Sequence, residues 1–131
     1  MSKTNEAILD CLREDARMSW QEIGRRVHLS GQAVATRVQQ LQDEGRISGF
    51  TLAEDGVERH FVTVFMKDTG FTAFEHFLRE RHCVAKAYKT TGEGCYGLIV
   101  TPRDKADFDQ LLTELLRWGT YRVSTAVRCV K

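Results

Sequence analysis

Apolar residues recur at three- and four-residue intervals between residues 5 and 45, then at every second position beyond residue 60. The first spacing is that of helices and the second that of strands. Ile8, Leu9 and Leu12 predict a leading helix over Asn5–Arg13. Ile23 and Val27, with Trp20 beside them, predict a second helix, and Val34, Val38 and Leu41 at i, i+4, i+7 predict a third. Ser19 followed by Glu22 reads as a capping box, and Ser30 as the cap of the third helix. Gly24 costs about 1 kcal/mol relative to Ala inside a helix, which predicts that another helix approaches closely there. Asp43-Glu44-Gly45-Arg46-Ile47 stops the third helix, and Ile47–Leu52 alternates like a short strand. Three helices and a small strand make a winged helix-turn-helix, whose last helix enters the DNA major groove.

The predicted third helix has the outer face that such a role needs. Gly31, Gln32, Ala35, Thr36 and Gln39 face outward, with Arg37 and Gln40 on the flanks. Small residues permit close approach, while Gln and Arg carry the donor and acceptor sets that read base edges. Gln32, Thr36 and Gln39 are the expected base contacts. Ser30 and Arg25 or Arg26 are the expected phosphate contacts, and Arg37 either braces the turn or meets phosphate. Charge counts against a tight monomeric binder: residues 1–50 carry seven Lys/Arg and seven Asp/Glu. The cations are unevenly placed, five against three acids between Arg17 and Arg46. A dimer would double the phosphate contacts; a three-helix packing module that touches no DNA is the alternative.

After a polar connector the second half reads strand (His60–Lys67), helix (Thr72–Arg81), strand (Val84–Thr91), strand (Cys95–Thr101), helix (Asp104–Trp118), strand (Tyr121–Val130). This βαββαβ order predicts a ferredoxin-like antiparallel sheet with both helices on one face, and an α+β chain overall. The expected division is residues 1–52 for the winged helix-turn-helix, 53–59 for the linker and 60–131 for the ferredoxin-like domain. Thr72 with Glu75, and Asp104 with Asp107, read as helix starts. Phe74, Phe77 and Leu78 form one helix stripe, and Phe108, Leu111, Leu112 and Leu115 the other. The first strand is apolar on both sides, Val62, Val64 and Met66 on one and Phe61 and Phe65 on the other. Two helices cover one face of a sheet, so a second copy is expected on the other face, giving a two-fold dimer.

Composition narrows the function classes. The 131 residues are 42% hydrophobic and 28% charged with net charge +1, which excludes a disordered tail or a polyanion sponge. The longest apolar run, Phe61–Met66, is too short to span a bilayer, and no signal-peptide pattern opens the chain, so a cytoplasmic protein without membrane contact is expected. Cys11, Cys83, Cys95 and Cys129 lack CxxC spacing and read as reduced thiols. His76, His82 and Cys83 match no zinc pattern. There is no Walker loop, no G-x-S-x-G and no H-E-x-x-H, and Gly92-Glu93-Gly94 is a turn rather than a dinucleotide fingerprint. No catalytic residue, metal or cofactor is expected.

Several of these residues also form a family pattern: Ile8-Leu9-x-x-Leu12, Asp15-Ala16-Arg17-x-Ser19-x-x-Glu22-Ile23-Gly24, Val27-x-Leu29-Ser30, Val34-x-x-Arg37-Val38-x-x-Leu41 and Glu44-Gly45-x-Ile47-x-Gly49-Phe50. With the βαββαβ half behind it, the chain resembles the Lrp/AsnC (feast/famine) transcription regulators over nearly its whole length. The resemblance implies a regulator that binds double-stranded DNA as dimers, often assembled to octamers, and that senses a small molecule such as an amino acid. It implies an effector site between dimers at the turn joining the second and third strands, here Thr90, Thr91, Gly92, Glu93, Gly94, Cys95 and Tyr96. Cys95 stands where the family carries an acid before the aromatic, and a neutral thiol does not pair with an ammonium group; Glu93 would have to substitute from another direction. Siroheme decarboxylases look similar in build, and His60, Arg122 and Arg128 are the residues available for such chemistry. A regulatory subunit that only pairs with a homologue is a third alternative.

Overall fold

Three serines start the three N-terminal helices. The Oγ atoms of Ser2, Ser19 and Ser30 accept from the backbone N–H groups of Asn5 (3.0 Å), Glu22 (3.0 Å) and Ala33 (3.1 Å). Each such cap is worth about 1 kcal/mol. They open α1 (Lys3–Glu14), α2 (Trp20–Val27) and α3 (Gly31–Asp43). The Ser2 cap explains why α1 begins two residues before the hydrophobic spacing predicts. These elements belong to a computed structural model that describes residues 2–131 and divides into two compact units, Met1–Ala53 and Glu54–Lys131.

The core of the first unit is Ile8, Cys11, Leu12, Ile23, Val34 and Val38, with Met18, Val27, Leu29 and Ile47 packed around it. Trp20 is not among them: at the first position of α2 it stays 40% exposed, and Met18 on the preceding turn packs against the cluster. The capping box is half formed. Ser19 caps α2, but the Glu22 carboxylate turns to Arg25 and Arg26 instead of reaching back. Gly24 serves the turn and not a neighbouring helix. A Cβ there would lie 2.3 Å from the Leu29 carbonyl oxygen, and the Leu29 N–H donates to the Gly24 carbonyl at 2.9 Å. The chain reverses at His28, which adopts the left-handed conformation (φ 63°).

The predicted strand Ile47–Leu52 does not form. The N–H groups of Arg46 and Ile47 close the end of α3 on the Leu41 carbonyl, and Ile47 joins the core. The segment then runs on without a hydrogen-bonded neighbour in its unit, Phe50 50% and Leu52 79% exposed. A strand exists only in a ladder.

The second unit is β1 (His60–Met66), α4 (Phe71–Arg79), β2 (Val84–Lys89), β3 (Tyr96–Val100), α5 (Lys105–Leu115) and β4 (Gly119–Thr125). The strands form one antiparallel sheet in the order β2-β3-β1-β4. One face carries Val62, Val64, Tyr96, Leu98 and Val100, buried against Phe74 and Leu78 of α4 and Leu111 and Leu115 of α5. The other carries Phe61, Thr63, Phe65 and Ile99 with no layer over it among the described residues of this unit, and Phe61 is 46% exposed.

Two of the boundaries that differ from the sequence reading have a visible cause. Thr72 does not cap α4: the helix starts at Phe71 with Gly70 as its cap, and the Asp68 carboxylate accepts from the Gly70 N–H at 2.9 Å. That start lets Phe71, Phe74 and Leu78 face the same core. The Asp104 cap does form, accepting from the Asp107 N–H at 2.8 Å, while Asp107 accepts from the Arg103 N–H. β4 stops at Thr125 and not Val130, because Thr125 pairs with His60, the first residue of β1; beyond it the Ala126 N–H donates to the Arg59 carbonyl. Among the described residues no helix is long and apolar enough to cross a membrane.

Candidate DNA interface and ligand turn

The α3 stripe Val34, Val38 and Leu41 is buried to 2% exposure or less, which turns the remaining positions of the helix outward. Gln32, Thr36, Gln39 and Gln40 are exposed, and Ala35 is half-buried. Thr36 donates its hydroxyl to the Gln32 carbonyl (3.1 Å), and the Gln39 amide donates to Asp43 (3.0 Å). Gln32 and Gln40 have no side-chain hydrogen bond among the described residues. Gly31 does not belong to the outer face: a Cβ there would meet the Gln21 backbone nitrogen at 3.3 Å, so this position seats the start of α3 against α2.

The first turn of α3 carries no acid, whereas α1, α2 and α5 carry Glu6, Glu22 and Asp107 there. The positive end of the α3 dipole, with Ser30 beside it, is therefore uncompensated and suited to an anion.

The cations around it are already engaged. Arg25 forks onto both carboxylate oxygens of Glu22 (3.0 and 2.6 Å), and Arg26 reaches Glu22 (3.1 Å) and Glu14 (3.3 Å). Hydrogen bonds from Arg25 and then Arg26 hold the Glu22 carboxyl at about 2, against an ordinary 4.5, and Glu22 in turn raises both guanidinium values. Arg37 donates to the Asn5 amide oxygen at 3.0 Å, bracing α3 against α1, and Arg46 pairs with Glu6. The sequence reading missed Glu22 as the holder of both arginines. The signal was present, since an acid three and four residues before two arginines meets both on a helix.

At the other candidate site the hairpin between β2 and β3 is tightly closed. The Thr90 N–H donates to the Cys95 carbonyl (3.0 Å), and the Cys95 N–H to the Val64 carbonyl of β1 (2.8 Å). Gly92 and Gly94 both have positive φ (94° and 78°). At Gly94 a Cβ would also strike the Thr63 methyl at 2.4 Å, so the turn lies directly on β1. Thr91 and Glu93 are exposed and Cys95 half-buried.

The two polar groups expected to share an effector point apart. Glu93 pairs with Arg122, a residue on the uncovered sheet face, whose guanidinium lies 5.3 Å from the centre of the Phe65 ring. The Tyr96 hydroxyl lies on the covered face and donates to Glu75 of α4 at 2.6 Å. Burial, and then Glu75, push that phenol up to about 12. Glu93 is therefore engaged already, and Cys95 supplies no carboxylate.

The residues considered for tetrapyrrole chemistry do not converge. His60 is 5% exposed, stacked on Phe108, bonded to Thr125 through Nδ1 (2.8 Å) and 3.2 Å from Glu58 through Nε2. Arg122 projects from the opposite face, and Arg128 lies exposed beyond β4. All four cysteines are unpaired, and burial pushes the Cys83 thiol up. Among the described residues no three His, Cys, Asp or Glu side chains are grouped to hold a metal ion.

Comparison with known proteins meets this geometry in both halves. The AsnC-type helix-turn-helix domain model matches residues 1–48, and the Lrp/AsnC ligand binding domain model matches residues 59–129. The chain is 30% identical to the HTH-type transcriptional regulator LrpB of Bacillus subtilis over 129 residues, covering 95% of this chain and 87% of that protein. The solved structure of B. subtilis LrpC superposes with a TM-score of 0.83 at 21% identity, covering 100% of this chain and 97% of that one. A Neisseria meningitidis regulator solved as a complex with L-Met superposes with a TM-score of 0.81 at 23% identity, covering 100% and 92%. The chain belongs to the Lrp/AsnC family: it is a transcription regulator that joins a helix-turn-helix domain to a ligand-binding domain.

Proposed function

We propose that the protein works in the cytoplasm as a homodimer that sets two copies of α3 into successive major grooves, roughly 34 Å apart. The observation that carries this reading is the outer face of α3: exposed Gln32, Thr36 and Gln39 over a fully buried stripe, on a helix whose N-terminus carries no acid. Gln32, Thr36 and Gln39 read base edges, with Gln40 at the margin and Ala35 permitting close approach. Ser30 and the start of α3 hold one phosphate. Arg25 and Arg26 reach others by exchanging Glu22 for the DNA backbone. Arg37 holds α3 in place and does not read sequence.

The dimer reading is supported by the uncovered sheet face with Phe61, Phe65 and Ile99, which a second copy would bury. Such dimers can assemble further, up to octamers. The small-molecule reading is supported by the ligand-binding domain match and by the L-Met complex of the Neisseria regulator. An amino acid held at Thr90–Tyr96 would need an acid from another copy for its ammonium group, because Glu93 is taken by Arg122.

Fluorescence anisotropy of the purified protein with DNA from upstream of its own gene, run across a salt series against scrambled DNA, tests the whole reading. Sequence preference with a steep salt slope is expected. Equal affinity for both DNAs at every salt concentration would overturn it.

A further inference from the structure

The contacts that seat α2 also turn its first residue outward. Met18 stands one residue before the Ser19 cap and Ile23 four residues after it, and both join the core of the first unit. An apolar pair at those two positions fixes how the chain enters a helix. With Met18 taking the inward place, Trp20 is left 40% exposed, and its indole N–H has no acceptor among the described residues.

A lone exposed aromatic is ordinary on a protein surface. What distinguishes this one is its place. A Cβ at Gly31 would meet the Gln21 nitrogen at 3.3 Å and the Trp20 carbonyl carbon at 3.5 Å, so the first turns of α2 and α3 touch. Gln32, exposed at the start of α3, is the next residue. In a helix-turn-helix the second helix reads base edges with its N-terminal residues, while the first crosses the sugar–phosphate backbone. A residue that opens α2, against the start of α3, therefore stands where the groove meets its bordering strand. The acid of this turn does not oppose a phosphate there, because the Glu22 carboxylate is drawn along α2 onto Arg25 and Arg26.

We infer that Trp20 docks α2 on the DNA backbone, its ring against a deoxyribose beside the groove and its Nε1–H donated to a phosphate oxygen. The inference rests on the reading of α3 as the helix that enters the groove. Indole suits the position, since a flat apolar ring with one donor matches a strand in which apolar sugar alternates with anionic phosphate. It carries no charge, so it displaces no counterion. A contact to the backbone sets register and orientation and is the same for every sequence.

Trp20 supplies its own reporter. The chain has two tryptophans, and the Nε1 of the other, Trp118, is buried in the second unit, where the ring packs against Phe74 and Phe77. The full-length chain is titrated with DNA from upstream of its own gene and with scrambled DNA, following tryptophan emission, its quenching by acrylamide, and the anisotropy of labelled DNA. Both DNAs should change the emission of the parent and shield it from acrylamide, and Trp20→Phe should abolish both responses while still binding. That variant keeps a ring and loses the N–H, so it should weaken both DNAs alike, by roughly threefold to tenfold, with the salt slope unchanged. Trp20→Ala should weaken them further. Thermal melts of both variants should match the parent, since Trp20 lies outside the core, which separates docking from a structural role. If DNA binds while the emission stays unchanged and Trp20→Phe binds within about twofold of the parent, the inference is wrong and the α3 reading survives. A base preference that changes in Trp20→Phe would put the indole in the groove and overturn the backbone assignment. If the parent binds neither DNA at low salt, the α3 reading falls and this inference with it.

Discussion

The two halves of this chain are finished to different degrees. In the N-terminal unit Arg13, Arg25, Arg26 and Arg46 each face an acid, Arg37 is bonded to Asn5, and the apolar stripes of all three helices meet in one core. In the C-terminal unit one face of the sheet is covered by α4 and α5 while the other leaves Phe61 46% exposed. The contrast separates stability from function. The first unit buries the inner stripes of its three helices, with Trp20, Phe50 and Leu52 left exposed, and its binding surface is a set of ion pairs that must be exchanged. The second keeps apolar area in reserve for another copy, so part of its stability depends on protein concentration.

The sharpest way to break that comparison is to replace one phenylalanine on each side of the sheet, Phe74 of α4 on the covered side and Phe61 of β1 on the other. Phe74 is fully buried against Phe77, Tyr96 and Trp118, so Phe74→Ala should cost about 3–5 kcal/mol in denaturant unfolding at any protein concentration. Phe61→Asp should leave the folded chain largely intact but place a charge in the proposed interface, which costs several kcal/mol of association. Sedimentation should then show a species of 15.0 kDa where the parent shows at least twice that. A parent protein that already sediments as a monomer would remove the basis of the comparison.

On the DNA side, Gln32→Ala should cost about 1–3 kcal/mol for the preferred site and relax specificity at one base pair, because Gln32 is exposed and free of side-chain hydrogen bonds. Thr36→Ala should cost less, since that hydroxyl is already bonded to the helix backbone. Anisotropy against a panel of single-base variants of the operator measures both. An unchanged specificity profile for Gln32→Ala would mean that α3 docks by another face.

The sequence made the elements and the two cores legible because each depends on local spacing. Val34, Val38 and Leu41, and Phe74 and Leu78, are all buried as their periodicity requires. What it did not reveal depends on partners remote in sequence or on competition between them. The segment after Ile47 has strand alternation but no neighbour to pair with. Thr72 has cap chemistry, yet seating Phe71 in the core moves the helix start ahead of it. At the sites, the outward face of α3 could be read from periodicity. The bond from Arg37 to Asn5 and the capture of Glu93 by Arg122 join residues far apart in the chain, and no local pattern encodes them.

Glu22→Gln sharpens the idea that the N-terminal cations are held in reserve. Losing that acid frees Arg25 and Arg26, so DNA affinity at low salt should rise by a small factor. The slope of log K against log salt should stay near the parent's, because Arg25 and Arg26 meet the same phosphates in both complexes. The same variant carries a pH signature. The folded carboxyl titrates at about 2 rather than 4.5, so its stabilising contribution is complete above about 4.5 and lost as pH falls toward 2. Circular dichroism of the whole chain should show the parent losing stability across that window more steeply than Glu22→Gln. Parallel acid limbs would mean that the pairs contribute nothing measurable in solution.

The smallest effect concerns the turn that sets α3 against α2. His28 is the only non-glycine residue with positive φ among the described residues. A side chain in that conformation costs about 1–2 kcal/mol, while glycine would raise the entropy of the unfolded chain by roughly 0.4–1 kcal/mol. The two effects oppose each other, so His28→Gly should stabilise the N-terminal unit by only about 0.5 kcal/mol. His28 is exposed and is not among the residues proposed to contact DNA, so operator affinity should stay within about twofold, which thermal melts and anisotropy measure separately. A large loss of affinity with unchanged stability would instead show that the His28 imidazole touches the DNA backbone. The reserve of contacts in this unit would then extend from its paired arginines into the turn itself.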